Sequence, residues 1–262
     1  MPKKNEETLF ADDGAAPELP DPTELENGLT IERVFSTEGE HPFESVEWER
    51  RDAAIKNPNG DVVFEQNDVE FPTSFSQLAT NVVASKYFYG DLDDRDKAPE
   101  DGGREDSLKQ LIHRVTRTIT DWGQQQDYFA SEEDAETFYE ELTWLCVNQY
   151  GAFNSPVWFN VGLNQQYGVT DTGDTKISGW DFDAEAIVDV DPYVRPQASA
   201  CFIISVEDSI DDIWNLMGES ARLFKFGSGV GADWSTLRSS KEKLSGGGTP
   251  SGPVSFMKVQ DE

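Results

Sequence analysis

"ACFIISVEDSIDDIWNLMGESARLFKFGSGVGADWSTLR", residues 200–238, passes through three local patterns in turn. Residues 200–206 are short, apolar and rich in β-branched side chains, which reads as a buried strand. Ser209 then stands three residues before Asp212, the spacing of a capping box. Behind it Ile210, Ile213, Met217, Ala221 and Phe224 recur along one side of a helix. The glycine-rich segment 226–238 follows as a loop. Strand, helix and glycine-rich loop in succession predict an α/β fold.

Upstream of this unit the patterns are mostly helical. "DSLKQLIHRVTRTITDW" (106–122) puts Leu108, Leu111, Ile112, Val115, Ile119 and Trp122 on one face. "SEEDAETFYEELTWLCVNQYG" (131–151) opens with Ser131 and Asp134 at capping-box spacing and carries Ala135, Phe138, Tyr139, Leu142, Leu145 and Cys146 on its apolar side. Cys146 reads as packing, and Gly151 suits the helix stop. "NPNGDVVFEQNDVEFP" (57–72) predicts a small hairpin with an Asn-Gly turn. At residue 151 the texture changes to a short apolar stretch with a turn-like "NSP" at its front. A loop over 164–192, rich in Asp, Gly and Thr, reads as a surface insertion. Three regions are expected: an acidic disordered tail (1–29), a mainly helical domain (30–150) and a second α/β region (151–262). The tail holds eight acids and four prolines, too little apolar surface to offset its chain entropy.

The chain has 262 residues with 51 acidic and 21 basic side chains, a net charge of -30. Such a field repels phosphates and argues against DNA or anionic-membrane binding; a solvated surface suited to high salt is the plainer reading. No run is apolar enough to span a bilayer and no signal peptide is visible, so a cytoplasmic location is expected. Two cysteines and two histidines at unrelated spacings predict neither a disulfide framework nor a metal site. His113, beside the apolar stripe of its helix, and His41 both read as structural.

One segment reverses the charge. Residues 220–260 hold Arg222, Lys225, Arg238, Lys241, Lys243 and Lys258 against Asp233 and Glu242. An anionic ligand is one reading; lysine stems covering apolar surface is the other. Two glycine-rich segments, 226–238 and "SGGGTPSGP" (245–253), flank the basic side chains. Glycines let backbone amides approach a ligand closely. "GSGVGA" is neither the dinucleotide fingerprint nor a P-loop, so the pattern has low specificity. A helix starting at Ser209 can cap itself or receive a ligand, and Asp208 suits a sugar hydroxyl or base better than phosphate. Spacing alone favours capping.

Taken in order, "HPFESVEW", "DVVFEQNDVEFP", "SQLATNVVASKYFYG", "FNSPVWFNVG", "ACFIISVEDSIDDI" and "FKFGSGVGADWSTLRSSKEKLSGGGTPSGPVSFM" resemble the N-terminal part of the adenosylcobalamin-dependent (class II) ribonucleotide reductases. The resemblance covers roughly residues 28–261 and is weakest over 164–195. The acid-rich composition looks haloarchaeal. The resemblance implies a mainly helical domain followed by the first part of a ten-stranded α/β barrel. It implies ribonucleoside-diphosphate (or triphosphate) reduction for DNA synthesis, with cobalamin as radical source and a cysteine pair as reductant. Partners would be a dNTP or ATP effector, a dithiol such as thioredoxin, the remainder of the enzyme, and a second copy in a homodimer.

Residue by residue, Cys201 matches the first reducing cysteine. Ser155 matches a substrate-binding position, Ser199 and Ala200 border the same site, and Gly229 and Gly231 match the glycines along which substrate lies. Asp208, Ser209 and Ile210 match the effector-specificity site. Arg238 matches the arginine holding effector phosphates, with Lys243 in or near its loop. The thiyl-forming cysteine and the second reducing cysteine have no counterpart in this chain, and Cys146 matches neither. The expectation is a partial enzyme, inactive without the rest of the barrel. The alternative is a nucleotide-binding module without catalysis.

Overall fold

A computed structural model describes residues 28–171, 173, 177–181 and 184–261. Nearly all of the acidic tail, residues 1–27, lies outside the described residues. Leu29, assigned to that tail by sequence, belongs to the fold: its amide donates to Tyr128 O and its carbonyl accepts from Ala130.

The first core forms where a long hairpin meets three helices. Strands β1 (Trp48–Lys56) and β2 (Val62–Pro72) pair antiparallel around the Asn57–Asp61 loop. The sequence predicted only a small hairpin; β1 escaped because its "WERRD" start is too charged to read as a strand. Above the hairpin lie α1 (Gln77–Lys86), α2 (Leu108–Gln125) and α3 (Glu132–Val147). Ala53, Val69, Phe71, Ala84, Leu108, Leu111, Ile112, Cys146 and Val147 close the core. The region is therefore helical with a substantial sheet component.

Helix starts follow their caps. Ser107 accepts from Lys109 N while Gln110 Oε1 accepts from Ser107 N, a complete capping box. At α3, Ser131 Oγ accepts from Asp134 N, and the Asp134 carboxylate accepts from the Ser131 hydroxyl at 2.5 Å rather than from the Ser131 amide that a capping box would use. The Asp134 carboxylate also accepts from Ile31 N at 2.8 Å and so ties the entering chain to the helix. His113 Nδ1 sits 2.8 Å from Tyr139 Oη, and burial lowers its pKa.

Residues predicted as turn and loop contain elements of their own. The short helix α4 (Ser155–Asn160) begins at "NSP", with Asn154 as cap, and α5 (Leu163–Tyr167) follows. The insertion holds an antiparallel pair, β3 (Ile177–Asp181) with β4 (Ala186–Val190). Its alternation was hidden by surrounding Asp, Gly and Thr.

The region matching the opening quotation is a strand–helix–strand unit. Strand β5 (Cys201–Ser205) runs parallel to β6 (Gly229–Asp233), joined by α6 (Ile210–Lys225). Two expectations change here. Residues 229–233 are a strand rather than loop; five residues with two glycines give too weak a local signal. Strand β5 is not buried: Ile203 is 90% exposed, while Phe202 and Ile204 are partly covered. The second core gathers Val206, Ile213, Leu216, Trp234 and Leu237. Along α6 the buried stripe is Ile213, Leu216 and Ser220, with Met217 packed beside it, while Ile210 and Phe224 face outward. The final helix is α7 (Pro253–Asp261).

Candidate functional site

Two groups of residues form around the β5–α6–β6 unit, one at each end of its strands. The first surrounds Cys201, which opens β5 as an exposed free thiol directly paired with Gly229. Gly231 pairs with Ile203 two positions on. Neither glycine has the left-handed backbone that favours glycine. A Cβ at Gly229 would come no nearer than 3.6 Å to Ala200 O, and one at Gly231 no nearer than 3.9 Å to Phe202 O. The packing of the chain therefore does not require glycine at either position. Their effect is to leave the strand's outer face bare beside the sulfur.

Three bonds hold the lead-in to this strand. Ser228 Oγ donates to Ser199 O at 2.8 Å, Gly229 N donates to Ala200 O at 2.6 Å, and Ser199 N is capped by Gln197 Oε1 at 2.9 Å. From the other side, Asn154 Nδ2 donates to Ala198 O at 3.0 Å. This bond places the start of α4, and with it Ser155, against the lead-in to Cys201. Ser155 Oγ lies 3.0 Å from Tyr87 Oη, a partner that stands just past the end of α1. Ser155, Ser199, Ala200, Cys201, Gly229 and Gly231 are thus brought into one neighbourhood by backbone pairing and one asparagine.

The second group lies at the opposite end of β5. Asp208, Ser209, Ile210 and Arg238 line one cavity of about 350 Å³ together with Leu244, Thr249, Pro250 and Phe256. Arg238 Nε donates to Asp208 Oδ2 at 2.5 Å, with both side chains about one-third exposed. The positive end of α6 is already answered: Ser209 Oγ accepts from Asp212 N at 3.1 Å, and Asp211 and Asp212 occupy its first turn. An anion at this cavity would meet Arg238 rather than the helix terminus. Lys243 is exposed and does not line the cavity, although its neighbour Leu244 does. Leu244 and Phe256 carried no sequence signal, because an apolar side chain beside a glycine turn looks like ordinary packing.

The basic cluster read from sequence is not one patch. Arg222 borders a separate cleft of about 320 Å³ with Arg195 and Phe226, and Lys225 lies over the Phe226 ring. A further cavity of about 430 Å³ lies in the first core, lined by Phe75, Val83, Tyr87, Cys146, Phe153 and Trp158. Among the described residues no cluster of three or more His, Cys, Asp or Glu side chains could hold a metal ion. No helix there is long and apolar enough to cross a membrane.

A deeper polar hub, unread in the sequence, anchors α4. Glu105 and Arg114, both essentially without exposure, pair at 2.9 Å. Arg114 also donates to Val161 O and Trp158 O, and Glu105 accepts from Tyr89 N and Tyr167 Oη. Gly162 fits against Arg114 only because it lacks a side chain: a Cβ there would lie 2.4 Å from Arg114 O.

Residues 49–149 match the family model for class II vitamin B12-dependent ribonucleotide reductase, and residues 199–262 match that for the ribonucleotide reductase barrel domain. Among the described residues the barrel-matched part is mixed α/β and forms no closed barrel. The chain is 56% identical over 236 residues to a vitamin B12-dependent ribonucleotide reductase of Rhodopirellula baltica, covering 89% of this chain and 22% of that one. Against the protein of the same name from Streptomyces clavuligerus it is 44% identical over 240 residues, 91% of this chain and 21% of the relative. A vitamin B12-dependent ribonucleoside-diphosphate reductase of Mycobacterium tuberculosis is 41% identical over 64 residues, 24% of this chain and 9% of that protein. The chain spans about a fifth of the length of the first two relatives. With both family models and these relatives agreeing, the chain belongs to the class II, vitamin B12-dependent ribonucleotide reductases.

Proposed function

We propose that this chain forms the opening portion of a cobalamin-dependent ribonucleotide reductase, carrying one of its two reducing thiols and its effector cavity. The observation that carries the reading is the exposed Cys201 sulfur on a glycine-bared strand edge, beside Ser199 and Ala200 and within the barrel-matched segment. In the proposed reaction the ribose C2′–OH bond breaks and a C2′–H bond forms. Cys201 and a second thiol each give up one proton and one electron, joining as a disulfide while the hydroxyl leaves as water. An external dithiol then resets the pair by exchange. The thiyl-forming and second reducing cysteines would lie in polypeptide corresponding to the rest of the relatives' length, where the ten-stranded barrel would be completed.

In the full enzyme the radical chemistry would be supplied by bound adenosylcobalamin. The cavities described above do not fit it: a corrin with its nucleotide loop exceeds the clefts of about 430 and 350 Å³, each walled by core or loop side chains. The role proposed for this chain is to hold substrate and to present a reducing sulfur. Ser155, Ser199 and the Gly229 and Gly231 backbone would position a ribonucleoside diphosphate, the form named for the Mycobacterium tuberculosis relative. At the other end, Arg238 would take the phosphates of a deoxynucleotide effector, with Asp208 turning from the arginine to the sugar.

The test is deoxynucleotide formation by the complete enzyme with adenosylcobalamin. Cys201→Ser abolishes multiple turnover with dithiol reductant; full turnover in that variant removes Cys201 from the mechanism. Arg238→Ala weakens effector binding about tenfold or more, as expected for losing a charge-assisted phosphate contact. An unchanged effector Kd overturns that assignment.

A further inference from the structure

The short helix α4 ends on Asn160, a side chain that neither the family resemblance nor its local pattern marks. Asn160 is 6% exposed, and its carboxamide nitrogen bridges two separate backbone segments. It donates to Gln197 O at 3.2 Å and to Phe226 O at 3.0 Å. Gln197 lies four residues before Cys201, and Phe226 three before Gly229. These are the lead-ins to the two parallel strands whose first residues, Cys201 and Gly229, face each other. A single NH₂ group thus ties together the entrances of both strands.

The rest of the helix reinforces the tie. Asn154, at its start, holds Ala198 O. The Phe159 ring packs on Gly227, whose φ is +81°, and a Cβ there would lie 2.6 Å from the ring. The start of α4 therefore grips the lead-in to β5, and its last turn grips both lead-ins. The helix is itself held from the other side by Arg114, through Trp158 O and Val161 O. A parallel pair of five-residue strands has few ladder bonds of its own, so an external clamp matters to its register.

We propose that Asn160 is a positioning residue for the reduction step: it fixes the separation between the Cys201 sulfur and the Gly229 backbone across which the ribose would lie. This rests on the proposed reductase function. The carboxamide is the group suited to the task, because its two N–H donors can serve two carbonyls at once. A carboxylate of the same shape would turn both contacts repulsive. Misplacing a reacting group by about 1 Å can cost about 100-fold in rate, which sets the scale of the effect.

The experiment compares Asn160→Asp, Asn154→Ala and Cys201→Ser in the complete reductase, reading kcat, KM, effector Kd and hydrogen exchange at the Gly229 amide. For Asn160→Asp we expect kcat to fall about tenfold or more and Gly229 exchange to accelerate by a similar factor. Effector Kd, read at the far end of β5, stays within about twofold. Asn154→Ala, on an exposed helix start, changes kcat and exchange in the same direction by a smaller factor, and it carries the test if Asn160→Asp fails to fold. Unchanged kcat, or an equal loss of turnover and effector binding, overturns the positioning role. Full turnover in Cys201→Ser removes Cys201 from the mechanism and this inference with it. A dead Cys201→Ser beside a fully active Asn160→Asp sinks the inference alone.

Discussion

Two thiols in one chain show how far surroundings alter a side chain. Cys146 lies in the first core at 8% exposure, and burial pushes its pKa up to about 12. It stays protonated and sheltered at any ordinary pH, which suits packing. Cys201 stands exposed at the head of a strand. Iodoacetamide at about pH 8, below the value at which the buried thiol ionises, is therefore expected to modify one sulfur per folded chain, at Cys201. Peptide mapping checks this, and labelling of Cys146 at a comparable rate would contradict its packed role. Both denatured thiols should react alike.

At the level of elements, short pieces are fixed by side-chain-to-backbone bonds more than by their own length. Helices of six and five residues are below any intrinsic stability in water. The pair α4 and α5 persists because Arg114 on α2 reaches the carbonyls of Trp158 in α4 and of Val161 just after it, while Glu105 accepts from Tyr167 Oη of α5. Replacing Glu105 by Gln would leave the Arg114 charge buried without its counter-ion. The expected cost is about 3–5 kcal/mol, the usual penalty for breaking a buried pair. Urea unfolding of the variant measures it, and a loss below about 1 kcal/mol would mean that Arg114 finds other compensation. The same substitution should loosen α4, so Gly229 exchange should rise with it.

Across the whole molecule the dominating quantity is a net charge of -30. Mutual repulsion opposes the compact state and fades as salt shortens the screening length from about 10 Å at 0.1 M to about 3 Å at 1 M. The midpoint of thermal unfolding should therefore rise across that range; a fall would show that specific ion pairs outweigh the net repulsion. Acid acts through particular carboxylates. Burial pushes Glu141 upward, but its bonds from the Ser36 hydroxyl and the amides of Ser36, Phe35 and Val34 prevail and hold its carboxyl below the ordinary glutamate value. A pKa lowered by folding adds stability that is complete well above the unfolded value. That contribution is lost as pH falls through the folded one. Glu141→Gln should thus lower stability at neutral pH and flatten its decline in acid, as followed by denaturant titration between about pH 3 and 7.

How much could be read without coordinates follows from the range over which each feature is encoded. The stripe of α2, the caps Ser131 and Ser209, and the strand–helix start of the α/β unit rest on spacings of three or four residues, so they are visible in the chain itself. The family is legible for the same reason, since its motifs are contiguous. Strand β6 was not, because a five-residue strand takes its identity from the neighbour it pairs with. Nor were the burial of Glu105 and Arg114, the exposure of Ile203, or the gathering of Arg238 with Phe256 around one cavity. Asn160 is the clearest case: an amide in an apolar run acquires meaning only when two carbonyls, 37 and 66 residues away, fold to within hydrogen-bonding distance. Local periodicity is a property of neighbouring residues. Polar satisfaction in the interior depends on which distant groups share the same space.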